Sequence, residues 1–320
     1  MFSIHYQDAK VIRWFAENDV SLSIKTRVVA AWCFAGVLFA LAQSISAQQL
    51  TFEDIKRLPV PGGGQRFSYG SDPFQFGELR LPEGRGPHPV VIVIHGGCWY
   101  SEYDLNQLGN FNGRLTELGV ATWSLEYRRI GNPGGGWPGT FADVAQGADH
   151  LRVLARTFPL DLNRVIVIGH SAGGHLALWL AARHRLPAAS ALYSKEPLKV
   201  RGVVSLAGIT DLRRFRPNCR DAVTKLLGGS PEEVAERYEQ TSPIELLPLG
   251  VKQRLILGAV DGIVPAELGN SYQTAARKKG DRVDLTLVAG AGHFDLIASQ
   301  SFAWPAVVEA IRSLLELKGR

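Results

Sequence analysis

The sequence predicts an α/β fold in which a mostly parallel central sheet carries helices on both faces. Apolar runs at 89–94 and 165–168 are typical of central strands that are covered on both faces. Strand and helix patterns alternate over most of the chain, which favours parallel strands joined by helices. With 46% hydrophobic and 20% charged residues, the chain can also build a large core. Ligands of such sheets bind outside the carboxyl ends of the strands, so functional residues are expected there.

The remaining elements follow from the same patterns. Short strands at 65–69 and 75–81 are joined by a Gly-Ser-Asp-Pro turn, and each later run with helical spacing comes after a strand. We expect further strands at 89–94, 120–127, 165–168, 198–206, 254–257 and 283–288, and helices at 105–118, 141–158, 172–182, 265–279 and 302–317.

Residues 1–47 predict a leader that precedes the fold. A basic flank comes before an apolar run at 28–42, and small and polar residues follow up to Ala47. This order is typical of a secretory signal peptide, and the run is shorter than the about 20 residues that a membrane helix needs. We expect cleavage near Ala47, a single domain at 48–320 and a periplasmic or secreted protein. The alternative is an uncleaved membrane anchor.

The stretch at 165–182 has a serine at the apex of a sharp turn. Four apolar β-branched residues lead into Gly169-His170-Ser171-Ala172-Gly173, and an Ala- and Leu-rich run of helical length follows. Glycines on both sides of Ser171 allow the strained turn and close helix–strand approach of a nucleophile elbow. We therefore predict that Ser171 is a nucleophile. An ordinary Gly-rich turn is the alternative.

The base that takes the serine proton is expected to be a histidine. In sheets of this type the order along the chain is serine, acid, histidine. The histidines after Ser171 are His175, His184 and His293. His175 lies one helical turn beyond the serine and His184 ends that helix, whereas His293 follows the last strand in a Gly-rich loop. We predict His293 as the general base, with a surface loop histidine as the alternative.

The acid that orients this histidine is expected after an earlier strand. Asp261 follows the strand at 254–257 and fits best. Its rival is Asp211, which follows the strand before it. Asp295 is too close to His293 in the sequence to be the obvious orienting group. Each carboxylate could instead cap a loop, as Asp often does.

Backbone donors for a developing oxyanion are predicted in the run His95-Gly96-Gly97-Cys98-Trp99, which follows a buried strand. Two glycines there allow backbone N–H groups to turn toward the serine. We expect the N–H groups of Gly97, Cys98 and Ala172 to form the oxyanion hole. The alternative is a glycine turn without function.

These motifs together resemble the α/β-hydrolase superfamily. They are His95-Gly96-Gly97-Cys98-Trp99, Gly169-His170-Ser171-Ala172-Gly173-Gly174, Asp261 with Val264-Pro265, and His293-Phe294. The resemblance covers residues 75–317 and points to the esterase branch with an H-G-G-x-W motif, which includes kynurenine formamidases and small carboxylesterases. It implies an α/β-hydrolase fold with an oxyanion hole at Gly97 and Cys98. Many lipase-like relatives have a third glycine where Cys98 stands, which favours the H-G-G-x-W branch.

The cysteines and histidines give no sign of a metal site. The chain has no H-x-x-x-H or C-x-x-C cluster, so neither a metal nor another cofactor is expected. Cys33 lies inside the predicted leader, which leaves Cys98 and Cys219. Export would permit a disulfide between them, but we favour two small, unpaired and partly buried residues.

The predicted function is that of a serine hydrolase that cleaves small carboxylic esters through an acyl-enzyme. Trp99, Tyr100 and Trp137 lie in loops near the expected mouth and are weak candidates for substrate binding, and residues 211–249 are expected to form a small cap over the site. An arylformamidase is the alternative activity, and a catalytically silent binding protein is the alternative class. The mild net charge of +5 and the lack of a basic-aromatic stripe give no indication of nucleic-acid binding. The oligomeric state is left open.

Overall fold

One eight-stranded sheet organises residues 49–317, the part of the chain that the computed structural model describes. The strands lie in the order β1-β2-β4-β3-β5-β6-β7-β8. β2 is antiparallel to both β1 and β4, and all other neighbours are parallel, which confirms the predicted mostly parallel sheet. The strands are β1 (Gln65–Ser68), β2 (Phe76–Arg80), β3 (His88–Ile94), β4 (Ala121–Leu125), β5 (Leu160–His170), β6 (Gly202–Leu206), β7 (Lys252–Gly258) and β8 (Val283–Val288).

Helices connect the parallel strands and cover the sheet. They are α1 (Phe52–Lys56), α2 (Gly109–Thr116), α3 (Gly139–Asp149), α4 (Leu151–Leu154), α5 (Ala172–Ala182), α6 (Leu212–Phe215), α7 (Ala222–Leu227), α8 (Ala235–Thr241), α9 (Ala266–Lys278) and α10 (Trp304–Leu315). Short 3₁₀ turns occur at Leu105–Leu108, Arg183–Arg185, Cys219–Asp221 and Phe294–Ile297.

Strand β3 shows why the core has two halves. Val90, Ile92 and Ile94 belong to one buried hydrophobic cluster, and Val91 and Val93 belong to the other. Successive side chains of a strand point to opposite faces of a sheet, so a strand that is apolar throughout must be covered on both faces. The first cluster contains α5, and the second contains α10.

Some elements begin or end elsewhere than expected. The run at 141–158 forms two helices, α3 and α4, rather than one. Strand β6 begins at Gly202 instead of 198, because the Leu198 N–H donates to Asp149 Oδ1 (2.8 Å) and ties this approach to the end of α3. Helix α1 was not expected, although Thr51 and Asp54 form a capping box at its start.

The predicted signal peptide, its cleavage near Ala47 and Cys33 lie outside the described residues. Among residues 49–317, no helix is both long and apolar enough to cross a membrane.

The expected cap segment, residues 211–249, forms the short helices α6, α7 and α8. It packs against α5, where His175 Nε2 donates to the Thr241 carbonyl (3.0 Å) and Trp179 Nε1 donates to the Gln240 carbonyl (3.1 Å). The segment contributes no residue to the cavity described below. These buried hydrogen bonds attach the end of α8 to α5.

Candidate active site

Ser171 lies at the turn between β5 and α5 with φ 56° and ψ −121°. This left-handed conformation is unusual for a residue with a side chain, and it needs support from the surroundings. A Cβ added to Gly169 would lie 2.0 Å from the Gly173 carbonyl oxygen, and one added to Gly173 would lie 2.1 Å from the Ile94 carbonyl oxygen. Only glycine fits at either position. The two glycines of the motif therefore allow helix α5 to approach strands β3 and β5 this closely.

His293 and Asp261 form a hydrogen-bonded pair in the loops after β8 and β7. His293 Nδ1 donates to Asp261 Oδ2 at 2.7 Å, which leaves Nε2 available as a base. Backbone N–H groups of Ile263 and Val264 donate to Asp261 Oδ1 at 2.7 and 3.0 Å. Burial alone would raise the pKa of Asp261, but the hydrogen bond and charge of His293 and these N–H groups lower it below the ordinary value. The carboxylate therefore stays ionised beside the imidazole.

The two rival carboxylates have other partners. Asp211 Oδ1 accepts from the Arg214 N–H at 3.1 Å and caps α6. Asp295 Oδ2 accepts from the Gly292 N–H at 2.8 Å and closes the turn that carries His293. The structure thus brings Asp261, and neither rival, to the ring of His293.

Ser171 and His293 line one small cavity of about 70 Å³ at the carboxyl edge of the sheet. Among residues 49–317 no hydrogen bond joins the Ser171 hydroxyl to the His293 ring, so their contact is part of the proposal below. The cavity is lined by Phe52, Gly97, Cys98, Tyr103, Gln107, His170, Ser171, Ile263, His293 and Phe294.

The residues predicted to form an oxyanion hole surround the serine. Gly97 and Cys98 have φ values of 108° and 48°, and within the described chain their N–H groups donate to no protein acceptor. Ala172 is the first residue of α5, where a backbone N–H has no intrahelical acceptor and the helix dipole is positive. Three backbone donors are therefore available near the cavity.

The three weak substrate-binding candidates do not line this cavity. Trp99 is fully buried and packs edge-on against His175, because the chain reverses at Cys98 and Trp99 and turns the indole into the core. The Tyr100 hydroxyl donates to the Arg220 carbonyl at 3.0 Å. Trp137 packs against Phe141.

The aromatic walls come instead from residues that sequence reasoning missed. Phe52 on α1 lies 5.3 Å from Tyr103 and 5.7 Å from Phe294, measured between ring centroids. Phe294 follows His293 in a motif that was already singled out, but nothing in the sequence places Phe52 beside it.

Buried Glu126 supports the loop that carries the predicted oxyanion donors and was also missed. Its Oε1 accepts from His95 Nε2 (3.2 Å) and Arg129 Nη1 (2.9 Å), and its Oε2 accepts from the Leu105 N–H (3.1 Å). Burial alone would raise the pKa of Glu126, but His95, Arg129 and the Tyr127 N–H lower it below the ordinary value. The only signal was its position directly after β4, at the functional edge of the sheet.

His170, which precedes the serine, supports the histidine loop. Its Nε2 donates to the His293 carbonyl at 3.0 Å, and the two rings lie 4.5 Å apart between centroids. Burial, followed by the nearby charge of His293, lowers the pKa of His170 to about 3. His170 is therefore neutral near pH 7 and adds no positive charge beside the candidate base.

Cys98 and Cys219 form a disulfide, with Cα atoms 6.1 Å apart, so the expectation of unpaired cysteines is wrong. The two residues are 121 positions apart in the chain. Their proximity depends on how the segment after β6 packs against the loop after β3, which spacing alone does not reveal.

A larger cavity, about 870 Å³, lies away from the candidate catalytic residues. Its lining includes Leu162, Leu180, His184, Val200 and Val251, at the end of α5 and near the amino ends of the parallel strands. The ligand edge of such a sheet is the opposite one, so we assign the chemistry to the smaller cavity. Within the described residues there is no group of three or more His, Cys, Asp or Glu side chains that could hold a metal ion.

Comparisons with known proteins agree with this fold. The chain is similar to isoprenylcysteine alpha-carbonyl methylesterase ICME of Arabidopsis thaliana, with 25% identity over 284 residues, 85% of this chain and 64% of that protein. It is 28% identical to Esterase LipC of Mycobacterium tuberculosis over 73% of this chain and 60% of that protein. It is 24% identical to kynurenine formamidase of Drosophila melanogaster over 65% and 67%. The chain thus spans less than two thirds of the length of the first two relatives.

Solved structures show the same architecture. An inhibited Esterase B from Lactobacillus rhamnosis has a TM-score of 0.70 at 21% identity, covering 89% of this chain and 96% of that one. A truncated carbohydrate esterase from gut microbiota has a TM-score of 0.70 at 19% identity, covering 81% and 100%. These likenesses concern the fold. The family model named BD-FAE matches residues 78–275, well over half of the chain, and the chain therefore belongs to the BD-FAE family of α/β-hydrolases.

Proposed function

We propose that the protein is a serine hydrolase that cleaves small carboxylic esters through an acyl-enzyme. The observation that carries the proposal is the hydrogen bond between His293 and Asp261, together with the cavity that His293 lines with Ser171. The loop after β3 that carries Gly97 and Cys98, here called the oxyanion loop, lines the same cavity. The relatives named as esterases, including LipC and the methylesterase ICME, support this reaction class.

In the first half of the reaction the Ser171 oxygen attacks the ester carbonyl while its proton passes to His293 Nε2. The N–H groups of Gly97, Cys98 and Ala172 donate to the negative carbonyl oxygen, and Asp261 stabilises the imidazolium. The tetrahedral intermediate then expels the alkoxide, which takes the proton from His293 and leaves as the alcohol.

In the second half a water molecule attacks the acyl-enzyme and gives its proton to His293. The second tetrahedral intermediate collapses, the bond to the Ser171 oxygen breaks, and His293 returns the proton to that oxygen. The carboxylic acid leaves, and the free enzyme is regenerated. None of these steps uses a cofactor.

The size of the cavity favours small substrates. A volume of about 70 Å³ walled by Phe52, Tyr103 and Phe294 accommodates a short group beside the serine. A longer chain would need these rings to move. We therefore expect turnover to be highest with short-chain esters and to fall with length.

The test is the Ser171→Ala variant assayed on short p-nitrophenyl esters. Removing the nucleophile should lower kcat by about 10⁶-fold, and a fluorophosphonate probe should label the wild-type protein only. The matched control is Ser299→Ala, a hydroxyl in another loop that donates to Asn110 and not to the cavity. Unchanged turnover in the Ser171 variant would show that the assignment is wrong.

An arylformamidase is the second candidate. The 24% identity to the Drosophila kynurenine formamidase supports it, and the aromatic cavity wall suits an aryl group. The same serine, histidine and oxyanion donors would attack a formyl carbonyl and expel an aryl amine. Side-by-side kcat/KM values for phenyl acetate and N-formylkynurenine separate the two activities, since the true substrate class should exceed the other at least about tenfold.

We also propose that the protein is exported to the periplasm or secreted after cleavage near Ala47. The basic flank, apolar run and small residues within positions 1–47 support this, and the disulfide is compatible with an oxidising compartment. Mass spectrometry of protein from the producing cells should give a chain that starts at Gln48. A protein that retains residues 1–47 in the membrane fraction would favour the uncleaved anchor instead.

A further inference from the structure

The loop that carries Gly97 and Cys98 is fastened from outside by a short stretch of the cap segment. We call Cys219, Arg220 and Lys225 the clamp. Cys219 is joined to Cys98 by the disulfide, so the first attachment is at a predicted oxyanion donor itself.

The clamp also holds the next residues of the loop. The guanidinium carbon of Arg220 lies 4.5 Å from the centre of the Tyr100 ring, and Lys225 Nζ lies 5.4 Å from it. The Tyr100 hydroxyl donates to the Arg220 carbonyl (3.0 Å) and accepts from Lys225 Nζ (3.1 Å). Arg220 Nη2 pairs with Glu102 at 3.1 Å. Three alternate loop residues, Cys98, Tyr100 and Glu102, are therefore attached to one stretch.

The backbone on both sides of these contacts is strained. Cys98 and Trp99 have φ values of 48° and 57°, and Cys219, Arg220 and Asp221 have values of 53°, 56° and 58°. Residues with side chains adopt this region at a cost and stay there only where surrounding contacts hold them. On its other side the loop is held by a single β-bridge between Tyr100 and Ile130 and by Glu126 beneath His95.

We propose that Cys219 is a positioning residue for catalysis. Through the disulfide, and with Arg220 and Lys225 on Tyr100, it holds Cys98 in the left-handed conformation that directs the Gly97 and Cys98 N–H groups to the cavity. This inference rests on the proposed function. A loosened oxyanion loop stabilises the transition state less well but leaves ground-state binding largely intact, so the effect falls on kcat and not on KM.

The experiment compares Cys219→Ser and reduced wild-type protein with two controls. Reduction uses a water-soluble phosphine, which becomes the phosphine oxide as Cys98 and Cys219 become thiols. Arg156→Ala is the control for removal of an exposed arginine, to be compared with Arg220→Ala. Leu314→Ala is the control for stability, because it opens a hole in the core near Gly202, at the amino end of β6. All kinetics are measured well below the lowest Tm.

We expect Cys219→Ser and reduction each to lower kcat about tenfold with KM within about twofold, and reduction to have no further effect on the variant. Arg220→Ala should lower kcat about threefold, and Arg156→Ala should not change it. Leu314→Ala should lower Tm but keep kcat. Wild-type kcat in Cys219→Ser, or an equal loss of kcat in Leu314→Ala, would overturn the inference.

Hydrogen exchange gives a readout that does not depend on ester turnover. In Cys219→Ser the amides of residues 97–102 should exchange faster, while those of β5 and α5 keep their rates. Unchanged exchange at 97–102 in Cys219→Ser would show that the clamp does not hold the loop, even if the wild-type protein is an active esterase. Conversely, the wild-type protein could hydrolyse no ester and remain unlabelled at Ser171 while Cys219→Ser still shows faster exchange at 97–102. That result would reject the proposed function and keep the attachment of the loop by the clamp.

Discussion

The two sides of the candidate site are held in place differently. Ser171 lies between β5 and α5, and its N–H donates to the Leu206 carbonyl of β6 at 2.8 Å. The candidate nucleophile is thus fixed by the central strands themselves. The oxyanion loop, in contrast, leaves the end of β3 and is held by side chains from elsewhere, with Glu126 beneath it and the clamp beside it.

The two parts of the site are therefore positioned by different kinds of contact. The elbow depends on backbone approaches so close that only glycine fits, and these are encoded within a few residues. The loop depends on a buried carboxylate and a disulfide from distant parts of the chain. Substitutions near the elbow should therefore abolish the chemistry, whereas substitutions around the loop should reduce it gradually.

Of the predictions that test this comparison, Asp261→Asn on the nucleophile side has the largest expected effect. The asparagine amide can donate to His293 Nδ1, which places the imidazole proton on Nε2, and it supplies no negative charge for the imidazolium. We therefore expect kcat to fall about 10⁴-fold with little change in KM. Steady-state kinetics on p-nitrophenyl acetate measure this.

Asp211→Asn is the matched control, because asparagine caps a helix as well as aspartate does. It should keep wild-type kcat. If Asp211→Asn lost activity while Asp261→Asn stayed active, Asp211 and not Asp261 would be the acid that orients His293.

An intermediate effect is expected for Glu126→Gln, which acts on the loop side. The variant leaves Arg129 without its buried ion pair, so the protein should lose about 3 kcal/mol of stability. Because the loop then keeps only the clamp and the bridge between Tyr100 and Ile130, kcat should fall about tenfold. Denaturant unfolding and kinetics on the folded fraction measure both values.

The same variant should change how stability depends on pH. The pKa of Glu126 is lower in the folded protein than its ordinary value of 4.5, so its ionised form stabilises the fold above that value. The contribution is lost as the pH falls through the lower, folded pKa. Urea midpoints of the wild type should therefore fall more steeply below about pH 4.5 than those of Glu126→Gln. Parallel curves would show that Glu126 does not have the role assigned here.

The smallest effect is expected for Phe52→Ala. This variant changes the wall of the cavity but neither the turn at Ser171 nor the oxyanion loop. Loss of this ring opens the space beside Tyr103 and Phe294, so the ratio of kcat/KM for octanoyl to acetyl esters should rise about fivefold. Glu53→Ala on the same helix is exposed and should leave the ratio unchanged. An unaltered ratio in Phe52→Ala would show that Phe52, and with it α1, does not contact the acyl group of the substrate.

Sequence patterns alone predicted the alternation of strands and helices, the strained turn at Ser171 and a histidine in the Gly-rich loop after the last strand. These follow from local causes, since strand burial, turn geometry and loop glycines leave their pattern within short segments. The packing of whole elements was needed to show that Asp261 and not Asp211 meets His293, and that Trp99 turns into the core. It also decided that Phe52 walls the cavity and that Cys219 reaches Cys98. Such contacts join positions far apart in the chain, and their distances are set by how whole elements pack, which no short stretch of sequence records.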